Sequence, residues 1–348
     1  MTDSKKGDAL LHQYMLPELT EAHQSLELEN CRLPSDLFVG FDGRSGQVFV
    51  GGASRTEVIP LTGDMFENGY KPARNRHFFN SLPSDLSGIV LADMEDARAF
   101  DSEIYLDAPR NIFQYNRRRG NRTAVLWRLQ NYFEPSSAMG HPSGSVQPDE
   151  ISFECKKPRV FWRGGLTGSR WTSPYVREGI AAVLTADRFE NARTDYSRIN
   201  AVMLARNNES LDLKFFISDG SVYPWMAISD FVESRVTSRD FLEYKYVLCP
   251  NGNDVSSNLY WLISTNSIAF KEECDYEVLP DYFLKPWIHY VPVARGLSDL
   301  EEKFDFCEQN PDLCRRIIEN ANSAYAEMTD QAMWGSAEST VLERLSLI

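Results

Sequence analysis

YKYVLCPNGNDVSSNLYWLISTNSIAFK, residues Tyr244 to Lys271, reads as a strand, a tight loop, a helix and a second strand. Tyr244–Cys249 is a short run carrying aromatic and β-branched residues, which favours extended backbone. Pro250, Asn251, Gly252, Asn253 and Asp254 are turn formers and cannot continue it. Ser256 or Ser257 is placed to cap a helix whose apolar side is Leu259, Leu262 and Ile263, and Ile268–Phe270 resumes the extended chain. A loop that leaves the carboxyl end of a strand and enters a helix presents unpaired N–H groups and a positive dipole end. Such a site suits a phosphate or another anion. The same pattern also describes an ordinary β-loop-α connection with no ligand, and the physics alone leaves both readings open.

The rest of the chain bounds the setting. A length of 348 residues suits two domains of about 150 residues each. Hydrophobic content of 43% with 25% charged residues belongs to a globular chain rather than a disordered one. A net charge of −14 argues against non-specific nucleic-acid binding, so no nucleic-acid partner is expected. No apolar run approaches the ~18 residues that a spanning helix needs. The opening MTDSKKGDALLHQYMLPEL has no continuous apolar stretch of the secretory type. The expectation is a cytoplasmic protein with at most peripheral membrane contact. Cys31, Cys155, Cys249, Cys274, Cys307 and Cys314 form no CxxC pair, so neither a structural zinc nor a disulfide framework is expected.

Upstream, residues 37–52 read as a β-hairpin. Gly88–Ala92 is a continuous apolar run, as in a buried parallel strand, and it ends in Asp93, Met94, Glu95 and Asp96. The carboxyl end of such a strand is where α/β proteins place their chemistry; the plainer reading is a solvated acidic turn. Asn111–Tyr115 reads as a strand and is followed by Arg117, Arg118, Arg119 and Arg122. These arginines suit either a phosphate or anionic acceptor, or a solvated basic loop paired with carboxylates. Trp127 and Tyr132 lie in an aromatic stretch that suits the apolar faces of sugars or simply a core. Residues 136–150 are rich in Ser, Gly and Pro and read as a linker. After it, Val160–Trp162 reads as a strand that leads into Arg163, Gly164, Gly165, Thr167 and Arg170, ahead of a helix around Pro174–Ala186. Small residues there let backbone approach a ligand, and arginine supplies charge-assisted bonds to phosphate.

NGNDVSSNLYW resembles glycosyltransferase family 90, whose bacterial members carry a Gly-Asn-Asp-x-x-Ser/Thr-Asn-x-x-Trp run in this loop and helix. VFWRGGLTG, from Val160, is similar to the family's Phe/Trp-Arg-Gly element. LKPWIHYVPV, from Leu284, is similar to its Leu-x-Pro-Trp-x-His-Tyr-x-Pro-Val segment. The three matches keep their order across about residues 155–320.

The resemblance implies an α/β, GT-B-like fold: two Rossmann-type domains facing a cleft, with C-terminal helices returning to the first. It implies an acceptor-side domain over 1–150, joined by a helix at about 320–348, and a nucleotide-sugar domain over 151–319. It implies an inverting displacement from UDP-glucose or UDP-xylose to a hydroxyl of a glycan or of a lipid-linked, lipopolysaccharide-type acceptor. The family's general-base aspartate falls on Asp93, with Asp96 as the fallback. Donor contacts fall on Arg163, Gly164, Gly165, Thr167 and Arg170, and on Gly252, Asn253, Asp254, Val255, Ser256, Ser257 and Asn258. Trp127, Tyr132 and Arg117 fall on the acceptor side, and relatives place an arginine near Arg198. No Asp-x-Asp occurs in the sequence, so no metal and no other cofactor is expected.

This chain departs from the family twice. Many relatives have an arginine in place of Asn258, and Glu272–Tyr276 replaces a Pro-x-x-x-x-Trp element. Two further readings stay open: a non-catalytic nucleotide- or carbohydrate-binding protein of the same fold, and a protein O-glycosyltransferase.

Overall fold

The computed structural model describes residues 15, 39–52, 55–59, 72–94, 96, 112–121, 124–137, 145–166, 168, 191–216, 232–233 and 236–345. Thr167, Arg170 and the helix expected around 174–186 lie outside these residues, as does the N-terminal segment apart from Met15. Contacts divide the chain into two units. The first is Met1–Gln130 with Tyr276–Tyr282 and Asp330–Ile348; the second is Asn131–Asp275 with Phe283–Thr329.

In the first unit, β1 (Val39–Asp42) and β2 (Gln47–Gly52) form the expected hairpin. Asp42 shapes its turn, accepting the Arg44 N–H at 3.0 Å and the Ser45 hydroxyl at 2.7 Å. With β3 (Arg55–Ile59), β4 (Ile89–Ala92), β5 (Ile112–Gln114) and β7 (Ala124–Leu126) they make a sheet of order β3-β2-β1-β4-β5-β7. The apolar run at β4 is parallel to β5 on one side and antiparallel to β1 on the other, so the sheet is mixed. β6 (Asn116–Arg118) leaves it and pairs antiparallel with Tyr276–Val278. The helix Pro72–Ser81 packs Phe78 at 5.4 Å from Phe113 and 5.9 Å from Trp127. The last helix, Gln331–Arg344, belongs to this unit too. Glu338 holds it there, accepting from Arg128 Nε at 2.9 Å and Nη2 at 3.2 Å.

The second unit carries β8 (Lys157–Gly164), β9 (Leu211–Phe216), β10 (Val232–Glu233), β11 (Tyr244–Cys249) and β12 (Ile268–Glu272). Beyond Tyr276–Val278, which is β13, comes β14 (Val291–Val293). The sheet order is β10-β9-β8-β11-β12-β14, and every pairing in it is parallel. This is the doubly wound order: the chain builds outward from β8 in one direction, then returns to build outward from β11 in the other. The strand order reverses between β8 and β11, and doubly wound sheets bind ligands outside the carboxyl ends of the strands at that reversal.

Alternation along the strands sets the core. Val160 and Trp162, Leu211 and Leu213, Tyr246 and Leu248, and Ile268 and Phe270 share one buried cluster. The same cluster takes Ile199 and Val202 of the helix Ser197–Ala205, and Phe304 and Ile317 of the helices Leu300–Gln309 and Pro311–Met328. Each such large apolar side chain contributes about 2 kcal/mol by leaving water. Elsewhere Phe161 stacks on Tyr244 at 4.2 Å and meets Phe241 edge-on at 5.1 Å.

The helix after the β11 loop differs from the sequence reading. It spans only Leu259–Leu262, its N-cap is Asn258 rather than Ser256 or Ser257, and no side chain caps it. All four of its residues are buried, so it has no solvated face along which to extend. The Ser264 and Thr265 hydroxyls donate to the Trp261 and Leu262 carbonyls, each at 2.7 Å, and close it off. No helix of the described residues is long and apolar enough to cross a membrane.

Arg128→Ala is expected to destabilise the protein by about 3 kcal/mol, because it strands the Glu338 carboxylate in a largely buried site. The Arg128→Ala/Glu338→Ala double variant should lose less than the two single losses combined, and urea titrations of all three variants check this.

Candidate functional site

At the reversal between β8 and β11, β8 runs out into Gly164 and Gly165, and β11 into Pro250, Asn251 and Gly252. Arg198, near the start of the helix Ser197–Ala205, joins the two loops. Its Nη1 donates to the Gly165 carbonyl at 3.0 Å and its Nε to the Asn251 carbonyl at 3.1 Å. The guanidinium lies 5.7 Å from the centre of the Trp162 ring. A Cβ on Gly252 would stand 3.0 Å from Arg198 Nη2, so the loop comes this close because it has no side chain there. Burial lowers the Arg198 pKa to about 10, opposed by the negative charges of Glu272 and Asp254, and the group stays protonated at neutral pH.

The loop presents a graded surface. Asn253 is exposed, Gly252, Ser257 and Asn258 are half-buried, and Asp254, Val255 and Ser256 are buried. Cys274 holds it from beside, its Sγ donating to the Asp254 carbonyl at 3.5 Å. Gly164 and Gly165 are half-buried next to Arg198. Arg163 is engaged elsewhere. Its Nη2 pairs with Asp212 Oδ1 at 2.6 Å, its Nη1 donates to the Asp212 carbonyl at 2.8 Å, and its guanidinium lies 4.5 Å from the Phe161 ring centre. The strand places Arg163 one residue out of step with Trp162, on the face of Phe161.

The cluster therefore joins accessible backbone, small residues and one fixed cation at the carboxyl ends of two parallel strands, an arrangement suited to a diphosphate. Arg198 lies outside the glycine-containing motifs on either side of it. Its signal is an arginine in the first turn of a helix whose other residues include Ile199, Ala201 and Val202, all facing inward.

The family model described as Glycosyl transferase family 90 matches residues 146–332, more than half of the chain. The chain belongs to glycosyltransferase family 90. It is 31% identical over 177 residues to O-glucosyltransferase LpsA of Dichelobacter nodosus, covering 51% of this chain and 45% of that protein. It is 29% identical over 126 residues to Protein O-glucosyltransferase 2 of Danio rerio, covering 34% of this chain and 24% of that protein. With the O-glucosyltransferase rumi homolog of Aedes aegypti the identity is 28% over 134 residues, with shares of 38% and 33%. The chain thus spans less than half the length of each of these relatives. The family match covers both loops of the reversal and Arg198.

In this family 90 chain the acceptor-side candidates are inward-facing. Trp127 is buried against Phe113 at 5.1 Å, and Tyr132 is buried against Tyr260 at 4.6 Å. Arg117 is buried, with Nε on Glu277 Oε1 at 2.7 Å, Nη1 on the Ala124 carbonyl at 3.3 Å and Nη2 on the Tyr282 hydroxyl at 3.1 Å. Asp93 directly follows β4, is fully buried, and donates its N–H to the Phe113 carbonyl at 2.9 Å. Asp96 keeps some exposure and accepts from both Arg74 Nη1 and the Tyr115 hydroxyl at 2.7 Å. Among the described residues no three His, Cys, Asp or Glu side chains gather as a metal site would need.

The close packing at the end of β8 makes a sharp test. A Cβ on Gly164 would fall 2.3 Å from Trp162 Cζ2 and 2.7 Å from Cε2. Gly164→Ala is therefore expected to cost about 2 kcal/mol by overpacking the buried indole, read as a lower urea midpoint with unchanged slope.

Proposed function

We propose that this chain is an inverting glycosyltransferase that moves glucose or xylose from a UDP-sugar to a hydroxyl of a glycan or lipid-linked glycan. The observation that carries the reading is the Arg198 clamp, which joins the loops after β8 and β11 where the order of a parallel sheet reverses. In this reading the UDP diphosphate lies against Gly164, Gly165 and the Gly252–Asn258 backbone. Arg198 offsets the charge that builds up on the diphosphate as it leaves.

The acceptor hydroxyl attacks the anomeric carbon from the face opposite the diphosphate. The new C–O bond forms as the bond to the diphosphate oxygen breaks, UDP departs with that electron pair, and a carboxylate takes the hydroxyl proton. We assign that carboxylate to Asp93, with Asp96 as the fallback. The GT-B arrangement, with the first unit on the acceptor side and the second on the donor side, belongs to this proposal. So does metal independence, which rests on the lack of any Asp-x-Asp in the sequence. The proposed setting is cytoplasmic, and the five described cysteines, all free thiols, suit a reducing compartment. A polypeptide acceptor is the second reading, favoured by the similarity to Protein O-glucosyltransferase 2 of Danio rerio.

Asp93→Asn is expected to lower turnover at least about 100-fold while leaving UDP affinity unchanged, measured as donor hydrolysis and transfer beside a UDP titration. If Asp96→Asn shows the larger loss of turnover, the base moves to Asp96. Unchanged turnover in both variants overturns both assignments, and a wild-type chain that binds UDP but transfers to no acceptor favours the binding-protein reading. A chelator should leave the rate as it is; a strict requirement for Mn²⁺ would overturn metal independence.

A further inference from the structure

We propose that Glu272 is a positioning residue for the donor diphosphate: its buried carboxylate fixes both the Asn251–Asp254 loop and the helix that carries Arg198. The proposal rests on reading the β8–β11 reversal as the donor site.

Glu272 ends β12 and has no exposed surface. Its Oε2 accepts the Asn251 N–H at 2.8 Å. Its Oε1 accepts the Gly296 N–H at 2.9 Å and the Ser197 hydroxyl. Three separate segments thus meet on one carboxylate: the loop after β11, the first turn of the helix Ser197–Ala205, and the turn at 295–297. That turn is bent tightly, with positive φ at Gly296 (72°) and Leu297 (65°), and Asn200 Nδ2 also holds it, donating to the Gly296 carbonyl at 2.7 Å.

Asn251 is gripped on three sides: its N–H by Glu272, its carbonyl by Arg198, and its Nδ2 by the Glu273 carbonyl at 2.6 Å. Ser197 and Arg198 are adjacent in the helix, so Glu272 sets the helix start and Arg198 sets the loop from the same two anchor points. Burial pushes the Glu272 carboxyl up; the bonds from Ser197, Asn251 and Gly296 and the charge of Arg198 oppose that push.

All three partners are donors, and only a carboxylate has acceptors enough for them. A glutamine of the same shape would turn its own N–H₂ against one of these donors. For stability alone, a fully buried charge is a costly fastener. Placed directly behind the loop, it fixes the distance and aim of the backbone and of Arg198 toward whatever lies in the crevice.

The test is UDP titration of the folded 348-residue chain by calorimetry, with thermal unfolding recorded for each variant. Glu272→Gln should weaken UDP binding by about 10-fold or more, as loss of an orienting partner behind a ligand-binding group does elsewhere. Ser197→Ala removes one of the three donors, is far milder to the fold, and should weaken UDP binding about 3-fold by the same logic. Asp149→Asn is the control for stability. It disrupts the buried pair with Lys156 at 2.8 Å, on residues outside this cluster, and should lower the melting temperature without changing UDP affinity. Wild-type affinity in both folded Glu272→Gln and Ser197→Ala overturns the proposal, and Ser197→Ala decides alone if Glu272→Gln does not fold. A wild-type chain that binds no UDP overturns the donor-site reading itself, and this proposal with it.

Discussion

A guanidinium held between two backbone carbonyls is the interaction on which the second unit's site depends. Two parallel strands that lead the chain away in opposite directions leave a gap at their carboxyl ends, with backbone groups on both banks. Arg198 spans that gap from Gly165 to Asn251. The two carbonyls fix the geometry of the cation at the reversal. The carboxylates of Glu272 and Asp254 act on it through space and keep it charged despite its burial. A lysine would offer a point charge on a flexible stem, without the planar fork that reaches both carbonyls at once.

The parts legible in the sequence are those governed by short-range rules. Alternation and apolar runs mark β4, β8, β11 and β12, and the turn residues at Asp42–Gly46 mark the hairpin. The loop Pro250–Asp254 was readable because its residues cannot extend a strand. Periodicity cannot show that every residue of Leu259–Leu262 is buried, and so does not locate the start or the end of that helix. That burial changes the physics of the site. A single turn has too few aligned peptides for a useful dipole, so the positive character has to come from a side chain.

Arg163 and Arg198 show the same limit from two directions. The motif Trp162-Arg163-Gly164-Gly165 places an arginine next to the glycines, which makes it the natural choice for an anion. Yet the period of a strand puts Arg163 with Phe161 rather than with Trp162, and Asp212 on the neighbouring strand claims it. Arg198 lies 33 residues from the Gly165 carbonyl and 53 from that of Asn251, and only the sheet order brings the three together. The aromatic residues fare similarly: Trp127 is buried against Phe113 in the first unit and Tyr132 against Tyr260 in the second, which composition alone does not reveal.

Charge balance explains why one arginine among many matters in a chain of net charge −14. Most of the arginines with a named ion pair are neutralised at contact: Arg74 by Asp96, Arg117 by Glu277, Arg128 by Glu338, Arg163 by Asp212 and Arg295 by Asp275. Each of these pairs trades Coulomb attraction for desolvation and leaves little field beyond itself. Excess acid elsewhere repels a diphosphate from most of the surface. Arg198 is bonded to the carbonyls of Gly165 and Asn251, with the charges of Glu272 and Asp254 close by. In the proposed donor site, where Asn258 stands in place of the arginine that the family resemblance implies, binding would depend on how accurately Arg198 and the Asn251 loop are held.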